Sequence, residues 1–152
     1  MDDLLKYECD LYGMTYIELK TKKLDKKDSV LGAYDDEENV IYIDSNHLAN
    51  NPCKDCINTI LHEFRHYYQK KAYDIIKEMK EKNIDYSNVP YYYDAEKWLE
   101  AHENYSSAGG DYTYYSNELE ADSREYAEKE SKKYKKYFDD NGNKNENTQD
   151  DT

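Results

Sequence analysis

No apolar run in this chain approaches the length of a membrane span. The N-terminus, Met1-Asp2-Asp3-Leu4-Leu5-Lys6, also lacks the apolar stretch of a signal peptide. A cytoplasmic protein without a membrane partner is therefore expected. Cysteine is scarce and odd in number (Cys9, Cys53 and Cys56), which argues against a secreted disulfide framework. No cluster of Lys and Arg with interleaved aromatics is present, and 34 acidic against 21 basic residues leave a formal net charge of −13. Such a surface repels phosphate backbones, so nucleic acid is not an expected partner. A basic or neutral polypeptide fits the charge better. Internal repeats are missing as well.

Hydrophobic residues make up only 38% of the 152, and 19 of them are tyrosines. Tyrosine buries a large ring but keeps a hydroxyl that needs a partner, so a core of this kind should carry many hydrogen bonds at its edges. The length suits one core. A single domain is expected over residues 1–138, followed by a disordered acidic tail at 139–152 with no apolar residue. A monomer is the expected state.

The order of signals predicts an α+β fold. A short N-terminal helix precedes a strand within 11–20, a charged turn over 20–29 and a second short strand over 30–34. A polar turn, Asp35-Asp36-Glu37-Glu38-Asn39, leads into a strand over 40–44, rich in β-branched and aromatic residues. These strands imply a small twisted sheet. The remainder reads as helical. One helix covers about 54–70, with an extension toward Lys82 left open, and a loop with Pro90 covers 83–93. Asp94 is an expected N-cap for a helix through His102. The stretch Ser106-Ser107-Ala108-Gly109-Gly110 reads as a flexible break, a candidate hinge or lid, and a last helix covers about 116–137.

The chemistry concentrates in His62-Glu63-Phe64-Arg65-His66, a match to H-E-x-x-H. Residues four apart on a helix share a face, so both imidazoles can reach one Zn²⁺ from adjacent turns. Glu63, one step round, can hold a metal-bound water and take its proton as general base. Ile57, Ile60, Leu61, Phe64 and Tyr68 form an apolar stripe on the other side, so one face can pack on the sheet while the other faces a cleft. The ordinary alternative is a pair of surface histidines. Composition alone yields the motif by chance roughly 1% of the time.

Zinc needs a third protein ligand, and Asn117-Glu118-Leu119-Glu120-Ala121-Asp122 offers carboxylates from a second helix. Glu118 and Asp122 are four apart and share a face. Glu118 can bind the metal while Asp122 accepts a hydrogen bond from the far nitrogen of His62 or His66. Glu120 is the rival ligand, at a different helical phase. His102, Tyr112, Tyr114 and Tyr115 are candidate donors to the oxyanion of a tetrahedral intermediate. Cys53-Lys54-Asp55-Cys56 is a C-x-x-C at a helix start; without a second pair it reads as two free thiols.

With these residues in place, the chain resembles the thermolysin clan of gluzincin metallopeptidases, whose pattern is H-E-x-x-H followed by N-E-x-x-x-D. The stretch Glu118-Leu119-Glu120-Ala121-Asp122 with Tyr126-Ala127 is also similar to the E-x-E-A-[ND]-x-F-A signature of the ImmA/IrrE family. Members of that family are small intracellular metallopeptidase-like proteins, often encoded by phages and mobile elements. The likeness spans roughly residues 39–127. It implies a zincin-like domain with an edge strand at 39–44 that pairs with an extended substrate. It implies His62, His66 and Glu118 as ligands of one Zn²⁺ per chain, Glu63 as general base and Asp122 behind the ligands. The expected activity is peptide-bond hydrolysis by a metal-activated water. Two alternatives stay open: a catalytically weak zincin-fold module that recognises a partner protein, and, less favoured, a redox protein using Cys53 and Cys56.

Overall fold

A computed structural model describes residues 2–24, 30–107 and 112–138, with the side chains of 105–107 and 112–117 outside the description. The fold is α+β, mostly helical, with one small mixed sheet. In chain order the elements are α1 (Asp2–Tyr12), β1 (Glu18–Lys22), β2 (Gly32–Asp35), β3 (Val40–Asp44), α2 (Ser45–Asn50), α3 (Cys53–Glu81), α4 (Tyr92–Ser107) and α5 (Tyr112–Ser131). A 3-10 turn, Lys132–Tyr134, follows α5. The expected tail at 139–152 lies outside the described residues, as does most of the expected break at 106–110. Among the described residues, no helix is long and apolar enough to cross a membrane.

Helix α1 begins with Asp2 and Asp3, whose charges suit the positive end of the helix dipole, and buries Leu4, Leu5, Glu8 and Cys9. It ends in a left-handed cap. Gly13 has φ +64°, Met14 N–H donates to Cys9 O at 2.8 Å and Gly13 N–H donates to Asp10 O at 3.3 Å. This Schellman closure carries the helix through Tyr12, so the strand expected from residue 11 starts only at Glu18. The same closure ends α3, with Asn83 at φ +55° and Ile84 N–H donating to Met79 O at 2.8 Å.

The sheet order is β1-β3-β2, with β1 parallel and β2 antiparallel to β3. In the β2–β3 turn, Asp35 Oδ1 accepts from the N–H groups of Glu37 and Glu38 at 3.0 and 2.9 Å, and Asn39 takes a left-handed conformation. One sequence expectation is corrected here. The strand at 40–44 is the centre of the sheet, and β1 and β2 are its edges. The reason is visible in its residues: Val40, Ile41, Ile43 and Asp44 are all buried, as befits a strand covered on both faces. The strand β1 is mostly exposed and β2 is half-buried throughout.

The chain divides into two compact units, Met1–Phe64 with Tyr126–Thr152, and Arg65–Glu125. Both α3, which is 29 residues long, and α5 run unbroken through the division. The first unit buries Leu5, Cys9, Ile41, Ile43, Ile57, Ile60, Leu61 and Phe64. The second is built on Ala72, Tyr73, Ile76, Ala95, Trp98 and Leu99, with Tyr68, Tyr86, Tyr91, Tyr92 and Leu119 packed around them.

Several of the described tyrosines find hydrogen-bond partners. In the first unit, Tyr126 and Tyr134 each donate to the fully buried Glu8, at 2.7 Å to Oε2 and Oε1. Glu130, also buried and ion-paired to Lys133 at 2.8 Å, adds a second carboxylate to this cluster. Burial pushes the Glu8 carboxyl up to about 7, against the opposing pull of the two hydroxyls and with help from the Glu130 charge. A carboxyl raised in the folded state is held neutral there. Its stabilising contribution is complete below its ordinary pKa near 4.5 and is lost as pH rises through about 7. Urea denaturation of the wild type and Glu8→Gln should show this. The stability difference between them is expected to shift against the wild type between pH 4.5 and 7 and then level off.

Candidate metal centre

Helix α3 carries two stripes that its 3.6-residue period keeps apart. Ile57, Ile60, Leu61 and Phe64 are buried, while His62, Glu63 and His66 are half-buried. One turn of unbroken helix fixes His62 against His66, so their relation does not depend on how the two units are arranged. Glu120 of α5 lies in the same unit as His66, and its Oε1 is 3.0 Å from His66 Nε2. One ligand atom from each of His62, His66 and Glu120 falls within 4.8 Å of the others. Two imidazoles and a carboxylate are a ligand set suited to a zinc-type divalent cation. Zinc bonds of ~2.1 Å place tetrahedral ligand atoms about 3.4 Å apart, so small side-chain rotations would seat the ion.

The carboxylate that lies beside the histidines is Glu120, the rival ligand, and the expected Glu118 is not part of this group. Helical phase supplies the reason. At ~100° per residue, Glu120 falls about 60° from the buried Ser123, and Glu118 falls about 140° away. Ser123 is buried and Leu119 half-buried on the inward face of α5, and Glu118 is exposed. Glu118 and Asp122 do share a side of the helix, but it is not the side that faces the histidines.

Asp122 is also displaced from its expected role. It accepts from Arg65, with Nε to Oδ2 at 2.7 Å and a second guanidinium nitrogen to Oδ1 at 3.3 Å. The Arg65 guanidinium lies over the rings of Tyr68 and Trp98, 4.7 and 5.1 Å from their centroids. Asp122 Oδ2 accepts in addition from Gln69 Nε2 at 2.8 Å, and it is Gln69 Oε1 that meets His66 Nδ1, at 3.0 Å. The carboxylate thus reaches the histidine through an amide. Gln69 was not among the expected site residues. Its one signal in the sequence is spacing, three beyond His66 on the same helix.

Glu63 is approached by the sheet. A Cβ at Gly32, in the edge strand β2, would lie 2.7 Å from Thr59 Cγ2, 3.2 Å from Glu63 Cγ and 3.2 Å from Tyr42 O. Thr59 cannot easily yield, because its hydroxyl donates to Asp55 O at 3.1 Å and lies 2.9 Å from Nε2 of the buried His47. Glycine is what lets β2 run against the turn that carries Glu63. His47 itself is tied on both ring nitrogens, to Thr59 and to Asn51 Oδ1 at 2.7 Å, and anchors α2 to α3.

Other expected site residues are not brought to the group. His102 stacks on Tyr73 at 4.9 Å between centroids, and Tyr73 lies about two turns beyond His66. The side chains of Tyr112, Tyr114 and Tyr115 lie outside the described residues. All three cysteines are free. The Cys56 thiol is buried, lies 3.4 Å from His47 O, and is pushed up in pKa by burial, which disfavours a reactive thiolate.

Gly32→Ala is expected to cost about 1–3 kcal/mol in chemical denaturation, the range for forcing an atom into a packed contact. An unchanged midpoint would show that β2 can move away from α3.

No family model, curated protein or solved structure matches the chain.

Proposed function

We propose that the protein is a zinc metallopeptidase of gluzincin type, with His62, His66 and Glu120 holding one Zn²⁺ and Glu63 acting as general base. The observation that carries this reading is the convergence of the three side chains, from two turns of one helix and a second helix, within 4.8 Å. Their chemistry is right as well as their position, since imidazole and carboxylate are the protein ligands of hydrolytic zinc sites. When bound, zinc would lower the pKa of a coordinated water and polarise the substrate carbonyl.

The chain's own residues have distinct tasks in this reading. Glu63, next to His62 on α3, would take the water's proton and pass it to the leaving amine. Its neighbour β2 is an edge strand of the sheet, and an extended polypeptide can add to such an edge through main-chain hydrogen bonds. The strand expected to serve this purpose, at 40–44, is paired on both sides, so the role passes to β2. A net charge of −13 favours basic or neutral substrate segments.

Elemental analysis of protein purified without added metal is expected to find one zinc per chain and none in His66→Ala. Absence of zinc from both, even after incubation with it, would overturn the proposal. Glu63→Gln is expected to keep its zinc and to lose hydrolysis of an unstructured basic polypeptide by roughly 10²–10⁴-fold, the usual worth of a general base. A zinc-loaded wild type that cleaves nothing would point instead to a zincin-fold module that recognises a partner protein.

A further inference from the structure

Gln69 is one of the few fully buried polar side chains, with 1% of its surface exposed, and every polar atom of its amide is engaged. Nε2 donates to Leu119 O at 3.0 Å and to Asp122 Oδ2 at 2.8 Å, and lies 3.3 Å from Ser123 Oγ. Oε1 is 3.0 Å from His66 Nδ1, which Ser123 Oγ also approaches at 3.3 Å. A backbone carbonyl and a carboxylate can only accept, so the amide has one workable orientation. A flip would set Oε1 against Leu119 O and Asp122 Oδ2, leaving three acceptors facing one another. With Oε1 turned to the imidazole, Nδ1 must carry the hydrogen and donate it. The remaining nitrogen, Nε2, is the one beside Glu120, 3.0 Å from Oε1.

We infer that Gln69 is a positioning residue that assigns Nε2 of His66 to the metal, with Asp122 and Arg65 holding the amide in place. This rests on the zinc-site reading. The carboxylate of Asp122 polarises the amide that it receives from, which makes Oε1 a stronger acceptor for the imidazole N–H. A stronger acceptor there makes the opposite nitrogen a better ligand, as a directly bonded carboxylate does at other metal sites. Arg65 aims the carboxylate through its two bonds, and its guanidinium lies over the Tyr68 and Trp98 rings. The amide therefore transmits to His66 what Asp122 is too far round α5 to supply itself.

The test is zinc affinity by chelator competition in the wild type, Gln69→Leu and Leu99→Ala, together with nitrogen NMR of the zinc-loaded, ¹⁵N-labelled wild type. Gln69→Leu is expected to bind zinc about 10–100-fold more weakly, as loss of an outer partner does elsewhere. Leu99→Ala, a cavity in the core of the same unit, is expected to lose stability and keep its zinc affinity. The NMR spectra are expected to show His66 bound through Nε2 and an Nδ1 proton protected from exchange. This measurement stands even if Gln69→Leu does not fold. Zinc on Nδ1, a rapidly exchanging Nδ1 proton, or unchanged affinity in a folded Gln69→Leu would overturn the role of Gln69 and leave the zinc site standing. A wild type that binds no zinc would sink both.

Discussion

Helix α3 must meet two incompatible environments along its length, and the rest of the molecule follows from how it does so. One side places Ile57, Ile60, Leu61 and Phe64 in the core of the first unit, where they are almost fully removed from water. On another side of the same helix, His62, Glu63 and His66 need polar neighbours and access for a ligand. A helix of 3.6 residues per turn satisfies both only if the two classes of residue stay in phase. Both ends of α3 are set firmly: at its start Asp55 and Cys56 N–H groups donate to Pro52 O, and at its end Asn83 closes the last turn.

Keeping polar groups half-buried beside a core is costly unless each has a partner. The second unit meets this need with a connected set of bonds, from the rings of Tyr68 and Trp98 to Arg65, then Asp122, Gln69 and His66. Each group in the set satisfies the next, and the guanidinium–carboxylate pair is the strong member because both partners are charged and two bonds are made. The arrangement also explains why Arg65, inside H-E-x-x-H, is no bystander. Its side chain reaches Asp122 of α5 while that of His66 reaches Glu120 of the same helix. The first unit solves a related problem differently. It buries Glu8 among tyrosine hydroxyls, where burial raises the carboxyl's pKa, at the expense of stability at higher pH.

Local patterns were legible where local physics decides them. The run Val-Ile-Tyr-Ile-Asp at 40–44 is a strand on composition alone, and the alternation of His62 and His66 with Ile60, Leu61 and Phe64 marks a two-faced helix. Asn39 in the polar turn signalled the hairpin between β2 and β3. The extent of α1 was harder to read, because Gly13 and the closure it permits override a stretch whose composition favours a strand. Glu118 was favoured by its four-residue spacing from Asp122. That spacing says only that two residues share a side of α5. It does not say which side of α5 faces α3.

The sequence by itself determined the chemistry on offer: two imidazoles one turn apart on a helix with a carboxylate between them, acidic residues on a second helix, and a strand over 40–44. These depend on backbone periodicity and side-chain type, which are local. Tertiary structure alone decided that Glu120 meets His66, that Asp122 goes to Arg65, that Gln69 stands between them, and that glycine is required where β2 passes Glu63. Each of these depends on how one element is rotated about its axis against another. That rotation is set by the packing of whole inward faces, such as Leu119 and Ser123 on α5, and is not encoded in the spacing of the polar residues that it brings together.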